Sequence, residues 1–356
     1  LTHQKAIVTV VIPHFNGEEI LRRCLLSLRA TQYSAYHVLV VDNASTDQSI
    51  AMVLLEFPEV TVIRSQHNLG YAGGCNLGIR SSESAYVVLL NNDAVVTPNW
   101  LNPLIQLVET NNAIAAVQPK ILSIQNKKLF DYCGAAGGEM DIFGYPFARG
   151  RLFQTIEEDE GQYENSRLIF WASGAATLLR RSVLDQVGLL DSYFFAHMEE
   201  IDLNWRMQKA GFQIASEPRS IIYHQTGGTL AQESYRKMKL NQRNNLIMVL
   251  KNYGLWTLFW IIPIRIVLDL LTVFAFPVLG YKKATAVITG WIAALLSLPV
   301  ILRGRKENRE CFRVSDTVIM RRMYRGSIAL AYYVRGIRKA SRIKFSETFL
   351  LNQDYS

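Results

Sequence analysis

Cysteine is scarce in this chain of 356 residues. There are four, Cys24, Cys75, Cys133 and Cys311, and no two form a C-x-x-C pair. That argues against a disulfide framework or a cysteine-built zinc site and fits a reducing compartment. No charged-then-apolar leader opens the sequence; the first apolar run, residues 6–12, is too short for one and reads as a strand. Internal repeats and low-complexity tracts are also absent, which excludes solenoid and fibrous architectures.

The net charge is +8, but the body of the chain has almost no excess of either sign. Residues 303–344 carry thirteen Arg or Lys against three acids, a local +10, which leaves −2 for everything else. A basic tail on a near-neutral body suits nucleic acid or anionic lipid.

What is present is an alternation of β-branched runs with helical periodicity. Residues 6–12, 37–41, 60–63 and 86–90 read as strands; Ile20, Leu21, Cys24, Leu25 and Leu28 recur at helical spacing, and a second helix starts near Thr46. This predicts an α/β fold with a mostly parallel sheet, whose ligands sit beyond the carboxyl ends of the strands. Each of the four strands is followed by a polar or glycine-rich segment: Pro13-His14-Phe15-Asn16-Gly17, then Asp42-Asn43-Ala44-Ser45, then Asn68-Leu69-Gly70-Tyr71-Ala72-Gly73-Gly74-Cys75-Asn76, then Asn91-Asn92-Asp93. Turn chemistry explains any one of them, but explains four on one edge poorly.

Three further segments carry chemistry. Asp93 ends a strand where a metal-bound diphosphate would lie, with helix capping as the competing explanation because Pro98 predicts a helix start. Glu199, Glu200 and Asp202 precede an amphipathic stretch; the helix dipole alone would favour them, and a general base is the functional alternative. His224 ends an apolar run and opens a glycine-rich turn, as a metal or phosphate contact would. The acidic stretch 157–164 reads as a solvated loop.

These segments together resemble the family 2 glycosyltransferases of GT-A fold, in particular their bacterial rhamnosyltransferase-like branch. Seven stretches match in order over about residues 6–235, among them VLVVDNASTDQS, YVVLLNNDAVVTPNWL, EEIDLNWRMQKAGF and IIYHQTGGT. The resemblance implies that Pro13, Phe15, Asn16, Asp42, Asn43, Asn68, Gly73, Asn76, Asn91 and Asn92 bind the nucleotide-sugar. It implies that Asp42 reads a pyrimidine base and that Asp93 and His224 hold a divalent Mg or Mn. Trp171, Gly174, Ala175 and Glu199 would lie by the donor sugar and acceptor, and Glu200 would be the base of an inverting transfer. Two positions depart from the pattern. Glu200 stands where relatives usually have Asp, and Asn91 replaces the first Asp of Asp-x-Asp, which leaves less charge on the metal.

By branch, the resemblance implies transfer of L-rhamnose from dTDP-rhamnose to a lipid-linked glycan in cell-surface polysaccharide synthesis. The expected partners are donor, acceptor and a membrane surface, at the cytoplasmic face of the bacterial inner membrane, with no nucleic acid. A polyprenyl-phosphate sugar transferase or processive synthase of the same fold is the enzymatic alternative, although the Gln-x-x-Arg-Trp motif of processive synthases is absent. A non-catalytic membrane scaffold is the other.

The expected division is a catalytic domain over 1–235 and a helical, membrane-associating region over 236–356. The latter contains apolar segments 255–279 and 284–302 before the basic tail. The second has 19 residues without a charge, just enough to cross a bilayer; the first contains Arg265 and Asp269, costly at mid-bilayer. The two either form a hairpin or lie in the interface.

Overall fold

The computed structural model describes residues 7–225, 234–275, 277 and 280–345. The glycine-rich turn after Gln225, positions 276, 278 and 279 of the first apolar segment, and the end of the basic tail lie outside the described residues.

The alternating first third folds as its pattern dictates. Strands β1 (Val8–His14), β2 (Tyr36–Asp42), β3 (Thr61–Arg64) and β4 (Tyr86–Leu90) pair in parallel in the order β3-β2-β1-β4. All seven β1 residues are buried, as a strand covered on both faces requires. Helices α1 (Glu18–Arg29), α2 (Ser49–Glu56) and α3 (Gly70–Arg80) make the crossovers. Helix α1 buries Leu21, Cys24, Leu25 and Leu28 on one stripe, with Glu18 and Glu19 in its first turn and Arg29 in its last, where the helix dipole favours them.

The chain continues through β5 (Ala94–Val96), α4 (Leu101–Thr110) and β6 (Ile114–Ser123). A small antiparallel sheet of β7 (Gly138–Met140), β8 (Pro146–Ala148), β9 (Arg151–Leu152) and β10 (Thr155–Ile156) follows. Then come β11 (Arg167–Ile169), β12 (Ala176–Arg180), α5 (Arg181–Val187), α6 (Glu199–Lys209) and β13 (Gln213–His224). The large sheet has nine strands in the order β11-β13-β6-β12-β4-β1-β2-β3, with β5 added to β13. Its second half is mixed, because β12 runs antiparallel to both β4 and β6 whereas β13 runs parallel to β6. The ends of β1, β2 and β4 and the end of β13 thereby open on one side.

Past residue 234 the chain is helical: α7 (Tyr235–Asn252), α8 (Leu255–Phe274), α9 (Tyr281–Leu296), α10 (Leu298–Arg309), α11 (Asp316–Arg321) and α12 (Ile328–Tyr333). Leu246, Ile247, Met248 and Val249 of α7 share a core with Phe194, Trp205, Ile261, Ala294 and Ile301, so these helices are built onto the α/β body. The uncharged run 284–302 is broken near Ser297, where α9 and α10 meet at 65°.

The acidic stretch 157–164 is solvated only in part: Glu158, Glu160 and Glu164 are exposed. Glu157 is buried and accepts from Ala340 N (2.7 Å) and Ser341 Oγ (3.1 Å), and Asp159 and Glu164 both pair with buried Lys120. The expectation of a wholly solvated loop fails at Glu157 because its partners lie more than 180 positions away.

Candidate active site

The loops after β1 and β2 interlock. Asn16 takes a left-handed backbone (φ 54) and its Oδ1 accepts from Thr46 N at 2.8 Å, while Asn16 N donates to Ser45 Oγ and Gly17 N to Asp47 Oδ2. Pro13 is buried beneath them and Phe15 is partly exposed above. Asp42 is buried at the end of β2; its Oδ1 accepts from Ser45 N at 2.8 Å, and a carboxylate keeps a second oxygen for a ligand N–H. Asn43 Nδ2 donates to Gly70 O.

Asn68 Oδ1 accepts from Gly70 N, turning the chain into α3. Only glycine suits position 70: φ is +71, and a Cβ would meet Phe195 O at 2.5 Å. Gly73 lies a turn further, on the same helix. Asn76 spends its amide on Leu190 N and O and on Ser192 Oγ, so it pins the 190–192 segment.

A second group gathers at the ends of β4 and β13. His224 is buried, with Asp131 Oδ1 2.9 Å from Nδ1 and Asp93 Oδ1 3.0 Å from Nε2; Asn91 Nδ2 lies 3.2 Å from Nε2. Burial alone would depress the His224 pKa, but the hydrogen bond to Asp131 and the charges of Asp93 and Asp131 outweigh it and raise the pKa well above the usual range. Asp93 caps no helix, since α4 begins at Leu101. Its Oδ1 is buried and has no aligned hydrogen-bond donor among the described residues, although His224 Nε2 is within ion-pair distance.

These residues fit a divalent cation. A carboxylate oxygen lacking a donor faces an imidazole nitrogen whose partner nitrogen is held by a second carboxylate, and that arrangement fixes metal-binding histidines. Asp131, Cys133 and His224 bring ligand atoms within 4.8 Å of one another, but a thiol is a poor ligand for Mg or Mn, which leaves the oxygen and imidazole donors.

Sequence reasoning missed Asp131, which stands in a loop with no motif around it. It also passed over His14, a buried imidazole at the end of β1. Asn92 Nδ2 donates to His14 Nδ1 at 2.8 Å, Nε2 has no partner among the described residues, and burial lowers the pKa so that the ring is neutral.

The floor between these groups comes from the segment before β12. Gly174 O accepts from Tyr71 Oη, Ala175 O accepts from Asn91 N, and Ser173 Oγ accepts from Ala175 N. Trp171 is buried beneath, its Nε1 donating to Glu139 O, with its ring packed on Gly138.

The acidic triplet divides by partner. Asp202 is fully buried and spent on Arg206, Lys251 and Asn252; burial opposes its charge, but the two cations win and hold its pKa low. Glu199 and Glu200 each have an Oε2 with no partner among the described residues. Burial pushes both up, Glu200 to about 7, and Glu199 well above the usual range with help from Glu200's charge. Both therefore favour the protonated form, Glu199 more strongly, which leaves Glu200 the better placed to give up and take a proton near neutral pH.

The turn into α6 is strained. Phe195, His197 and Met198 all have positive φ (64, 72 and 76). Asn244 of α7 holds it, its Nδ2 donating to Phe194 O, Ala196 O and His197 O at 2.8–3.0 Å. A separate cleft of about 900 Å³ runs between α5 and α10; of the predicted site residues only Asn76 lines it.

A mixed sheet whose parallel half ends in these loops, and likeness to solved structures, give this chain the GT-A fold of glycosyltransferases. The model of Glycosyl transferase family 2 matches residues 9–188, and the chain belongs to that family.

Its relatives are distant. It is 25% identical to N-acetylglucosaminyl-diphospho-decaprenol L-rhamnosyltransferase of Mycobacterium tuberculosis, over 73% of this chain and 88% of that protein. Identity to the O-antigen biosynthesis protein RfbC of Myxococcus xanthus is 26%, over 63% of this chain and 18% of that protein. Identity to the low-salt glycan biosynthesis hexosyltransferase Agl10 of Haloferax volcanii is 23%, over 67% and 74%.

Among solved structures, GalNAc-T7 with UDP, GalNAc and Mn2+ has a TM-score of 0.56 at 13% identity, covering 84% of this chain and 58% of that one. The mannosyltransferase PcManGT of Pyrobaculum calidifontis, with GDP-Man and Mn2+, has a TM-score of 0.53 at 15% identity, over 86% and 83%. At these identities they share the fold.

Proposed function

We propose that this glycosyltransferase is inverting and metal-dependent and transfers L-rhamnose from dTDP-rhamnose to a lipid-linked glycan at the cytoplasmic face of a bacterial inner membrane. The observation that carries the chemistry is the pairing of His224 with Asp93 and Asp131, and two glutamates at the start of α6, each with an oxygen lacking a partner among the described residues, support the choice of base. The sugar and acceptor classes are supported by likeness to a relative whose name states a rhamnosyl transfer to a diphospho-decaprenol glycan.

Glu200 takes the proton of the acceptor hydroxyl as its oxygen bonds to the anomeric carbon and the bond to the diphosphate breaks, so the anomeric configuration inverts. Asp93 and His224 would hold Mg or Mn, which when bound compensates charge on the departing diphosphate. Asp131 keeps the His224 ring turned toward Asp93. Asp42 accepts a base N–H, and the Pro13–Phe15–Asn16 and Asn68–Gly73 segments enclose the nucleotide, with Asn91 and Asn92 alongside. Gly174, Ala175 and the neutral Glu199 face the sugar.

The test is turnover of purified protein with a panel of nucleotide-sugars and a polyprenyl-diphosphate-linked acceptor, with and without chelator. Transfer of rhamnose that stops in EDTA and returns with Mn2+ is expected. Full activity in excess EDTA rejects the metal assignment, and preference for another nucleotide-sugar rejects the donor.

A further inference from the structure

We infer that α8 lies in the plane of a membrane, seated in one leaflet by an uncharged face, and does not cross it. This deepens the reading of a lipid-linked acceptor and rests on it; the observations below do not depend on the donor.

By length and apolarity alone α8 suits a span: 20 residues, about 30 Å of helix. Its two ionisable residues decide otherwise, because both are buried against the protein. Arg265 donates to Phe143 O (2.8 Å) and Asn245 Oδ1 (2.6 Å), approaches Asp269 Oδ2 at 3.3 Å and lies 3.6 Å over the Tyr145 ring. Asp269 accepts from Tyr145 Oη (2.6 Å), Gln242 Nε2 (2.9 Å) and Trp291 Nε1 (2.9 Å). Ile261, Arg265, Leu268 and Asp269 thus form a stripe bolted to α7, α9 and the turn between β7 and β8. A crossing helix would drag that turn, with its irregular backbone, into hydrocarbon, where unpaired backbone groups are not tolerated at a lipid-facing position.

The rest of the α8 surface carries no ionisable residue, and its large side chains stand out. Trp256 is 88% exposed, Phe259 79% and Phe274 75%, with Val267 and Leu271 between them. A contiguous face of this kind marks a partner, and tryptophan and phenylalanine on an apolar face opposite a polar anchor mark an interfacial helix. The same helical region carries basic charge. On α10, Leu298, Leu302 and Lys306 follow one another at four-residue spacing and Arg309 lies three further on, an exposed stripe that runs from apolar to basic. With the rest of the basic stretch 303–344 it suits anionic headgroups. A second copy of this chain on the same face would bring two C-terminal regions of like charge together, at an electrostatic cost.

The experiment uses the full chain with phosphatidylcholine/phosphatidylglycerol vesicles. Trp256 and Trp260 are exposed reporters in the face itself. The protein is expected to float with these vesicles. Its fluorescence should be quenched more by bromines near the top of the acyl chains than by bromines near the bilayer centre. A Phe259→Asp/Leu271→Asp variant should float at least about tenfold less, since a charge at lipid depth costs enough for that at each position. A nucleotide-induced thermal shift equal to wild type shows that the variant is folded. Stronger quenching from the bilayer centre, or chain ends protected on opposite sides of the vesicle, overturns the in-plane placement. Absence of flotation together with concentration-dependent dimerisation gives the face to a second copy and overturns it too. Donor hydrolysis with Mn2+, measured on the same preparation without vesicles, reads the transferase proposal separately.

Discussion

Asp131 stands in a loop with no motif, yet its carboxylate lies 2.9 Å from the ring nitrogen of His224 that faces away from Asp93. Loss of such a partner typically weakens metal binding about 10–100-fold. Asp131→Asn should therefore weaken Mn2+ binding in the presence of a nucleoside diphosphate, measured by titration of the Mn2+ EPR signal; unchanged affinity would leave Asp131 a purely structural residue.

The glutamates make a prediction of opposite character. Glu200, raised to about 7, is a base only above that value, so the transfer rate should fall as pH drops through about 7. Glu200→Gln should cost roughly 10²–10⁴-fold in rate and keep donor binding. Glu199 is held in its acid form by burial, which destabilises the fold at high pH. The cost is absent below the free carboxyl's 4.5 and grows as pH rises toward the folded value. Glu199→Gln should accordingly raise the melting temperature at pH 8 and leave it unchanged at pH 4, a difference visible by calorimetry.

Asp93 and His224 stood out as candidates because their motifs coincide with strand ends, and Glu200 because its motif opens a helix. Asp131 and His14 were not: one has no flanking pattern, and the other reads as an ordinary end of a buried strand. Nor could sequence separate Asp202 from its neighbours, since the partners that consume it, Lys251 and Asn252, are about fifty residues away.

At the scale of elements, periodicity found what was long and regular. Strands β1 to β4 lie within two residues of their expected bounds, because buried parallel strands such as β1, β2 and β4 leave an uninterrupted apolar run; β3 is the exposed edge. The small sheet escaped notice, since strands of two or three residues carry no period. The break between α9 and α10 was hidden inside a run that hydropathy reads as continuous.

The clamp on the turn before α6 likewise joins elements far apart in sequence. Asn244→Ala would strip one donor from three carbonyls and release a loop held at positive φ. We expect a stability loss of about 1–3 kcal/mol and a fall in kcat, because the loop leads to Glu200; donor KM should rise as well, because Phe195 O of the same turn accepts from Tyr71 N in the donor-side loop. A fall in donor affinity with kcat intact would refute the clamp's role.

For the whole molecule, the helical region is part of the core rather than an appendage. Ile261, Ala294 and Ile301 pack with Trp205 and Phe194 beside the base-bearing helix. Deletion of residues 250–356 should therefore yield aggregated protein rather than a soluble catalytic fragment, as judged by size-exclusion chromatography after mild expression. A monodisperse, nucleotide-binding fragment would contradict this.

The same packing has a consequence for how the protein is made. Asp141 of the small sheet is buried and accepts from Ile328 N, 187 positions later, and Glu157 accepts from Ala340 N, 183 positions later. Until residues 328–340 leave the ribosome, both carboxylates sit in water and the small sheet lacks its cover. Pairings of such long range form late and slowly. A nascent chain stalled before residue 316 should keep its β7–β10 region open to protease while β1–β4 is already resistant. The small-sheet region is thus closed only after residues 328 and 340 have been made.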